Sequence, residues 1–434
     1  MLDAQNIVEP KFEASVGMSR KWDAREAGRE VAESTIKNLS GSPSFFLLFS
    51  TIHYEKYGGF QEFLNGVWDV LPEGTPLVGG TVAGFMNNHG CYTRGATALA
   101  VSYPNMDVAI GFGKKVKRNP KKAAKKCTEM ILIDLKKSKF KNGYFIDLIS
   151  GGLTFQIPFL GRRRVFSGMP GFLTNLTVKI TSYLFSKGPG REEEVLENIT
   201  KELSDFYILS GSCMDDNLFL NNYQFINRRV LENAIVGLGL KTDLNFDIQR
   251  NHGLSQTKRK LKVTKLSSDK RFIHKINEKP AVQELLKQMV WPDAYMTEKL
   301  LHSRTLYYPL GFKYNNEMVI DVIALVSGNS LCTVHKIKDK DLYVLSSSGK
   351  ELVKAVDSCL ASFNNRQPLV GIIFSCGIRL DTLGKQIFIE QEKLSNYFKE
   401  TPFLLTYVTG EGVYKPSGSL QYGNDTFNLS VFWS

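Results

Sequence analysis

Ser44-Phe45-Phe46-Leu47-Leu48-Phe49-Ser50, followed by Thr75-Pro76-Leu77-Val78-Gly79-Gly80-Thr81-Val82-Ala83-Gly84, decides the reading of this chain, because the pattern returns near the C-terminus. There Leu369-Val370-Gly371-Ile372-Ile373-Phe374-Ser375 is followed by Thr401-Pro402-Phe403-Leu404-Leu405-Thr406-Tyr407-Val408-Thr409-Gly410. Ser50 precedes Pro76 by 26 residues, Ser375 precedes Pro402 by 27, and each copy ends in a further strand-like stretch, 95–102 and 426–432. A short run of apolar residues without polar alternation is the pattern of a strand covered on both faces. Each copy therefore reads as strand, helix, strand, loop, strand, and two related halves point to a ligand site made jointly between them.

Working outward, Asp23-Ala24-Arg25-Glu26 has the form of a capped helix start, with Ala27, Val31, Ala32 and Ile36 at near-helical spacing behind it. Residues 61–71 read as a helix ended by Pro72-Glu73-Gly74, and a basic helix spans about 120–137. A short apolar strand over 144–149 runs into Gly151-Gly152, and Glu192-Glu193-Glu194 open a helix that leads to strand 206–209. That order repeats the opening unit once more. Segment 161–190 differs in character, mixing Arg162-Arg163-Arg164 with glycines, prolines and apolar residues. Strand patterns over 219–240 and 263–276 precede a helix that begins at Pro280. The expected fold is α/β (mixed α+β): two pseudo-repeated halves, 15–276 and 277–434, with buried sheets under outer helices, in a four-layer sandwich if the sheets stack. No linker rich in Pro, Gly or Ser separates the halves, so they should pack together.

Composition narrows the class. With 434 residues, 43% hydrophobic and 11% aromatic, the chain has ample material for real cores. No apolar run approaches the roughly 18 residues that cross a bilayer, and Met1 to Pro10 lacks a signal pattern, so a cytoplasmic protein with no transmembrane segment is expected. The six cysteines show no CxxC pair and the six histidines no zinc-site spacing, which argues for a reducing compartment and against a dedicated metal site. The net charge of +12 is densest over 114–141, where twelve cations meet only Glu129 and Asp134. Such a run would suit nucleic acid or anionic lipid, but it lacks interleaved aromatics and any nucleic-acid motif, and reads as a solvated helix face. The second basic stretch, 258–275, alternates with apolar residues as a half-exposed strand does.

Four turns place small or acidic residues directly after buried strands, where groups at strand ends converge on a ligand. They are Gly79-Gly80-Thr81; Gly211-Ser212-Cys213-Met214-Asp215-Asp216; Phe374-Ser375-Cys376-Gly377-Ile378-Arg379 with Gly384; and Gly410-Glu411-Gly412 followed by Tyr422-Gly423-Asn424-Asp425-Thr426. Leu77-Val78-Gly79-Gly80-Thr81 with Gly84, the Gly-Ser-x-x-Asp-Asp form at 211–216 with Phe225, Phe374-Ser375-Cys376 with Arg379 and Gly384, and Gly410-Glu411 with Asn424 and Thr426 together resemble the FIST family, the F-box and intracellular signal transduction proteins. The resemblance runs from about Ser15 to Trp433. It implies a sensory module that binds a small polar ligand, an amino acid being one candidate, and signals onward. The chain as given leaves no room for an attached kinase, methyl-accepting or F-box region, so output is expected through a separate protein partner. Ser210 replaces a glycine common in the family, and 161–190 looks like an insertion that would cover or reshape the pocket.

The expected ligand-binding residues are Gly79, Gly80, Thr81, Gly211, Ser212, Asp215, Asp216, Ser375, Cys376, Arg379, Glu411 and Asn424. Each has an ordinary alternative. The glycines would serve tight strand packing or positive φ. Asp215 and Asp216 would hold a ligand ammonium or cap a loop. Arg379 would grip a carboxylate or pair internally with an acid such as Glu411. Cys376 reads as a small buried residue, and Asn424 and Thr426 as ties between the last loop and the sheet. No catalytic residue or metal ligand and no cofactor is assigned. The competing readings are a haem-binding sensor drawing an axial ligand from the histidines, a hydrolase-like enzyme with Cys376 or Ser375 as nucleophile, and nucleic-acid binding through 114–141, which the missing motifs disfavour.

Overall fold

In the computed structural model, which describes residues 11–154, 156–157, 161–162, 164–166, 168–185, 187–416 and 418–434, the two quoted runs are central strands, Phe45–Ser50 and Val370–Cys376, buried along their length. Each has the same neighbours. The parallel partner is Leu77–Thr81 in the first copy and Phe403–Tyr414 in the second; the antiparallel return strand is Ala96–Ser102 or Phe427–Trp433. Leu47 stands opposite Val78 and Leu99, as Ile372 stands opposite Leu404 and Ser430. The sequence repeat is thus a repeat of topology.

The same unit occurs a third time between them. Central strand Asn142–Ser150 pairs in parallel with Phe206–Cys213 and antiparallel with Ala234–Thr242. In all three repeats a leading strand lies antiparallel against the return strand: Glu13–Ser19, Met106–Lys114 and Asn245–Asn251. The repeats also exchange edges. Gln224–Ile226 of the second repeat adds to the parallel strand of the first, Gly84–Asn87 of the first adds to that of the third, and Phe403–Tyr414 of the third continues alongside that of the second. The parallel-strand edge of each repeat is thereby covered by a neighbour, which pairs donors and acceptors that this edge would otherwise present, while the leading strands stay at the outer edges.

The alternation of side chains places one face of every central strand inward. Phe45, Leu47 and Phe49, Ile146 and Leu148, and Ile372 and Phe374 share one core, with the Phe49 and Phe374 rings edge to face at 6.2 Å. The outer faces take helices. Ala24–Ile36 and Phe60–Trp68 cover the first repeat, Pro120–Leu135 and Glu192–Glu202 the second, Gly349–Ala361 and Ile387–Phe398 the third. Their starts are chemically marked: Asp23, Asn119 and Ser348 each accept the backbone N–H three residues on. The fold is mixed α/β as expected, with outer helices over buried sheets, and the inner faces of all three repeats, not of two halves, meet in one core.

Residues 255–346 depart from the unit, lying between the third leading strand and helix Gly349–Ala361 and building a sheet of their own. Ser255–Leu266 carries the alternating basic stretch, with Leu261 and Val263 inward and its lysines toward solvent. Val165–Phe166, from the segment that looked inserted, pairs with Ile323–Ser327 and so ties the second repeat to this sheet.

Candidate functional site

A cavity of about 130 Å³ lies where the central strands of the second and third repeats end. The second repeat contributes the Gly152-Leu153-Thr154 turn, Gly188 to Gly190, Glu192 and Met214; the third contributes Cys376, Gly377, Ile378, Thr409 and Asn424. Val322 to Leu325 and Cys332 of the additional sheet close it from the other side, with Phe166, Val178 and Phe219 over it. Most of this wall is apolar. Segment 161–190 contributes Arg164, Phe166, Val178 and Gly188 to Gly190 to the wall.

Two polar acceptors on the wall are buried and incomplete. Glu192, in the first turn of helix Glu192–Glu202, is 2% exposed, and its Oε2 has no hydrogen-bond partner among the described residues. Burial holds its carboxyl above the usual range. Its carboxyl lies so close to Gly190 that a side chain there would collide with it, and Gly410, at φ +58° in a bulged part of its strand, abuts it from the third repeat. Asn424 is 1% exposed; its backbone N–H donates to the Ile320 carbonyl and its Oδ1 is unpartnered among the described residues.

Behind the wall stand further ionisable groups. Burial pushes Glu411 up to about 8, against a hydrogen bond from the Cys376 thiol and one from Thr426 Oγ1 at 3.0 Å. Asp425 is pushed up to about 7, also by burial. The Cys376 thiol is itself held well above its ordinary value, chiefly by burial, so it is no thiolate at neutral pH. Lys117 is buried beneath the Gly151-Gly152 turn, where its Nζ donates to the Gly151 carbonyl at 2.6 Å and burial lowers it to about 8.

Of the twelve residues expected from sequence, Cys376 and Asn424 line this cavity and Glu411 supports Cys376 from behind. The others are placed elsewhere. Arg379 is fully buried in an internal ion pair, 2.5 Å from Glu390 and not with Glu411. Asp215 accepts the amides of Leu218, Phe219 and Leu220 and so closes the loop after its strand. Asp216 is exposed and lines no part of the cavity. Gly79, Gly80 and Gly211 serve close strand packing: an added Cβ would lie 1.7 Å from the Leu48 carbonyl oxygen, 2.3 Å from the Cys213 sulfur and 2.9 Å from the Phe374 ring respectively. Thr81 accepts the Tyr223 amide at 3.0 Å, and Ser212 and Ser375 are buried in their strands. Among the described residues no histidine lines the cavity, and no group of three His, Cys, Asp or Glu is placed to hold a metal ion.

Glu192 and Lys117 escaped the sequence reading. Glu192 stood first in a row of three glutamates that reads as a helix start, and the flanking Gly188-Pro189-Gly190 was the available signal that its side chain turns inward. Lys117 was submerged in the basic run taken as a solvated face; its cationic neighbours are exposed as expected, and it alone of the cations in 114–141 is buried.

Among solved structures, the chain is similar to a cyanuric acid hydrolase from A. caulinodans at 6% identity, over 54% of this chain and 72% of that one, with a TM-score of 0.27, too low to transfer fold or chemistry. No curated protein matches the chain. The family model of the FIST N domain matches residues 44–279, more than half of the chain, from the first central strand through the complete second repeat and into the additional sheet. The chain belongs to the FIST family of F-box and intracellular signal transduction proteins.

Proposed function

We propose that the protein is an intracellular sensor that binds an amino-acid-sized metabolite in the cavity between the second and third repeats, through a cationic amine held by Glu192. The observation that carries this reading is the Glu192 carboxyl, buried at the wall with Oε2 unpartnered among the described residues. A buried acceptor without a donor is costly, and a ligand that brings the donor recovers that cost on binding. An ammonium would satisfy Glu192 and Asn424 Oδ1 together and draw the proton off the glutamate; the apolar wall then takes the rest of the ligand. For an amino acid, the carboxylate would meet Arg164, which lies over the Phe219 ring at 5.0 Å at the same cavity, in the role first expected of Arg379. Met214, just past the parallel strand of the second repeat and packed in the core of the third, and Thr409, in the parallel strand of the third, would carry occupancy into the fold and from there to a partner protein.

The test is a thermal-shift screen of amino acids and small amines, followed by calorimetry. A ligand at 100 times its dissociation constant should add about 2.7 kcal/mol of stability. Glu192→Gln should weaken binding by about 10-fold to 100-fold, since it removes a charged partner from a buried pair, whereas Asp216→Asn should leave it unchanged. Binding that survives both Glu192→Gln and Asn424→Leu would overturn the reading.

A further inference from the structure

Helix Gly171–Phe185 leaves Phe172, Leu173, Leu176, Ile180 and Tyr183 between 43% and 65% exposed. At 3.6 residues per turn these five fall within an arc of about 100° on one side of the helix. The other side is anchored: Thr174, Asn175 and Val178 are buried, Thr174 Oγ1 lies 2.6 Å from Ser327 Oγ, and Val178 reaches the cavity wall. Single exposed apolar residues are ordinary on a protein surface, but a contiguous stripe on one ordered helix marks a surface that is covered in use.

The stripe is joined to the densest positive charge of the molecule. The Arg118 guanidinium lies over the Tyr183 ring at 4.1 Å and donates to its hydroxyl at 2.5 Å. Arg118 also borders a surface hollow with Lys114, Lys115, Lys122 and Lys126, all exposed. On the flank of the stripe Lys179 is about half exposed, 3.7 Å from Asp269.

We propose that this face docks on an anionic lipid bilayer, with the helix lying in the plane of the interface, its apolar arc at the acyl boundary and the lysines against the head groups. Both halves of the surface are matched by that occupant: the arc needs an apolar phase and the rim needs fixed negative charge beside it. A nucleic acid would satisfy the lysines and leave Leu176 and Ile180 against phosphates. The helix is 15 residues long, about 22 Å at 1.5 Å per residue, so it lies on the bilayer and does not span it. No helix among the described residues is long and apolar enough to cross a membrane.

The experiment is co-sedimentation of the full chain with vesicles of phosphatidylcholine alone and of phosphatidylcholine with phosphatidylserine, across a salt series. Binding to the serine-lipid vesicles only, weakened as salt rises, is expected. L176E/I180E should weaken it by about 100-fold, and K122E/K126E by about 10-fold to 100-fold. All four side chains are exposed or on the open arc, so unchanged thermal unfolding of both variants would separate lost docking from lost folding. Failure to bind the anionic vesicles, or binding unaffected by L176E/I180E, overturns the proposal. So does binding to a short RNA that matches the vesicles in strength and is indifferent to L176E/I180E.

Discussion

Glu390→Gln is expected to lower the unfolding free energy by about 3–5 kcal/mol, one of the largest effects available to a single near-isosteric change in this chain. Glu390 and Arg379 are both completely buried. The Arg379 Nη2 donates to Glu390 Oε2 at 2.5 Å and to the Leu352 carbonyl at 3.2 Å, while the Tyr407 hydroxyl donates to Glu390 Oε1 at 3.2 Å. The Arg379 Nε and Nη1 have no hydrogen-bond partner among the described residues, and Glu390 is the chief countercharge of the guanidinium, ahead of Asp425. Glutamine keeps the shape and removes the charge, which leaves an uncompensated cation in the core. Chemical denaturation measures the loss, and a cost below about 1 kcal/mol would show that the pair is not the anchor it appears from its burial.

The double variant Arg379→Met with Glu390→Leu separates a structural pair from a ligand-binding arginine. Apolar residues of similar volume replace buried ion pairs at little cost, so the double variant should be more stable than Glu390→Gln alone. It should also still bind the cavity ligand, since Arg379 lines no part of that wall. The pair joins the helix turn Ile378–Leu383 to helix Ile387–Phe398, and Ile378 and Asp381 of that turn do line the cavity. Glu390→Gln should therefore loosen the wall as well as the fold.

Why the sequence announced Arg379 but not its partner is a matter of spacing. Arg379 follows a buried strand, and that position suggests a site. Glu390 sits on a helix between Ile387-Phe388-Ile389 and Gln391-Glu392-Lys393, at a boundary where a glutamate ordinarily faces water, and nothing in a one-dimensional pattern distinguishes the one that turns inward. The central strands were legible for the opposite reason: a strand covered on both faces must be apolar at every position, so Phe45 to Phe49 and Ile372 to Phe374 write their burial directly. The second repeat was harder to read because its central strand carries Asp147 in mid-run and because the segment holding helix Gly171–Phe185 separates it from its parallel partner. Of the site, the strand-end positions Cys376 and Asn424 were visible, as strand ends are. Asp215 was visible for the wrong reason, since a loop cap and a ligand carboxylate leave the same letter after the same strand.

Asp147→Asn should make the protein more stable at alkaline pH while changing it least in acid. Asp147 is 1% exposed on the outer face of its strand; Ser210 Oγ donates to Oδ1 at 2.6 Å, and Oδ2 has no hydrogen-bond partner among the described residues. Burial, opposed in part by that hydrogen bond, raises its pKa from 3.8 to about 8. The folded carboxyl is therefore protonated at neutral pH and the unfolded one ionised, so folding takes up a proton. The stability tied to this group is fully present below pH 3.8 and is lost as pH rises to about 8, at up to about 1.4 kcal/mol per pH unit. Asparagine has no proton to retain, and its advantage over the wild type should grow by about 3–4 kcal/mol between roughly pH 5 and pH 8. Glu411 and Asp425, raised in the same direction, remain in the variant and keep part of the slope. Urea midpoints across that range measure the difference. An advantage that stays constant with pH would mean that Asp147 is ionised in the fold, and one that shrinks would mean that a cation holds it so. Glu192 at the cavity is also held above its ordinary value by burial, so an amine that binds there as a cation should release a proton from it, and its affinity should rise with pH until the amine itself loses its charge.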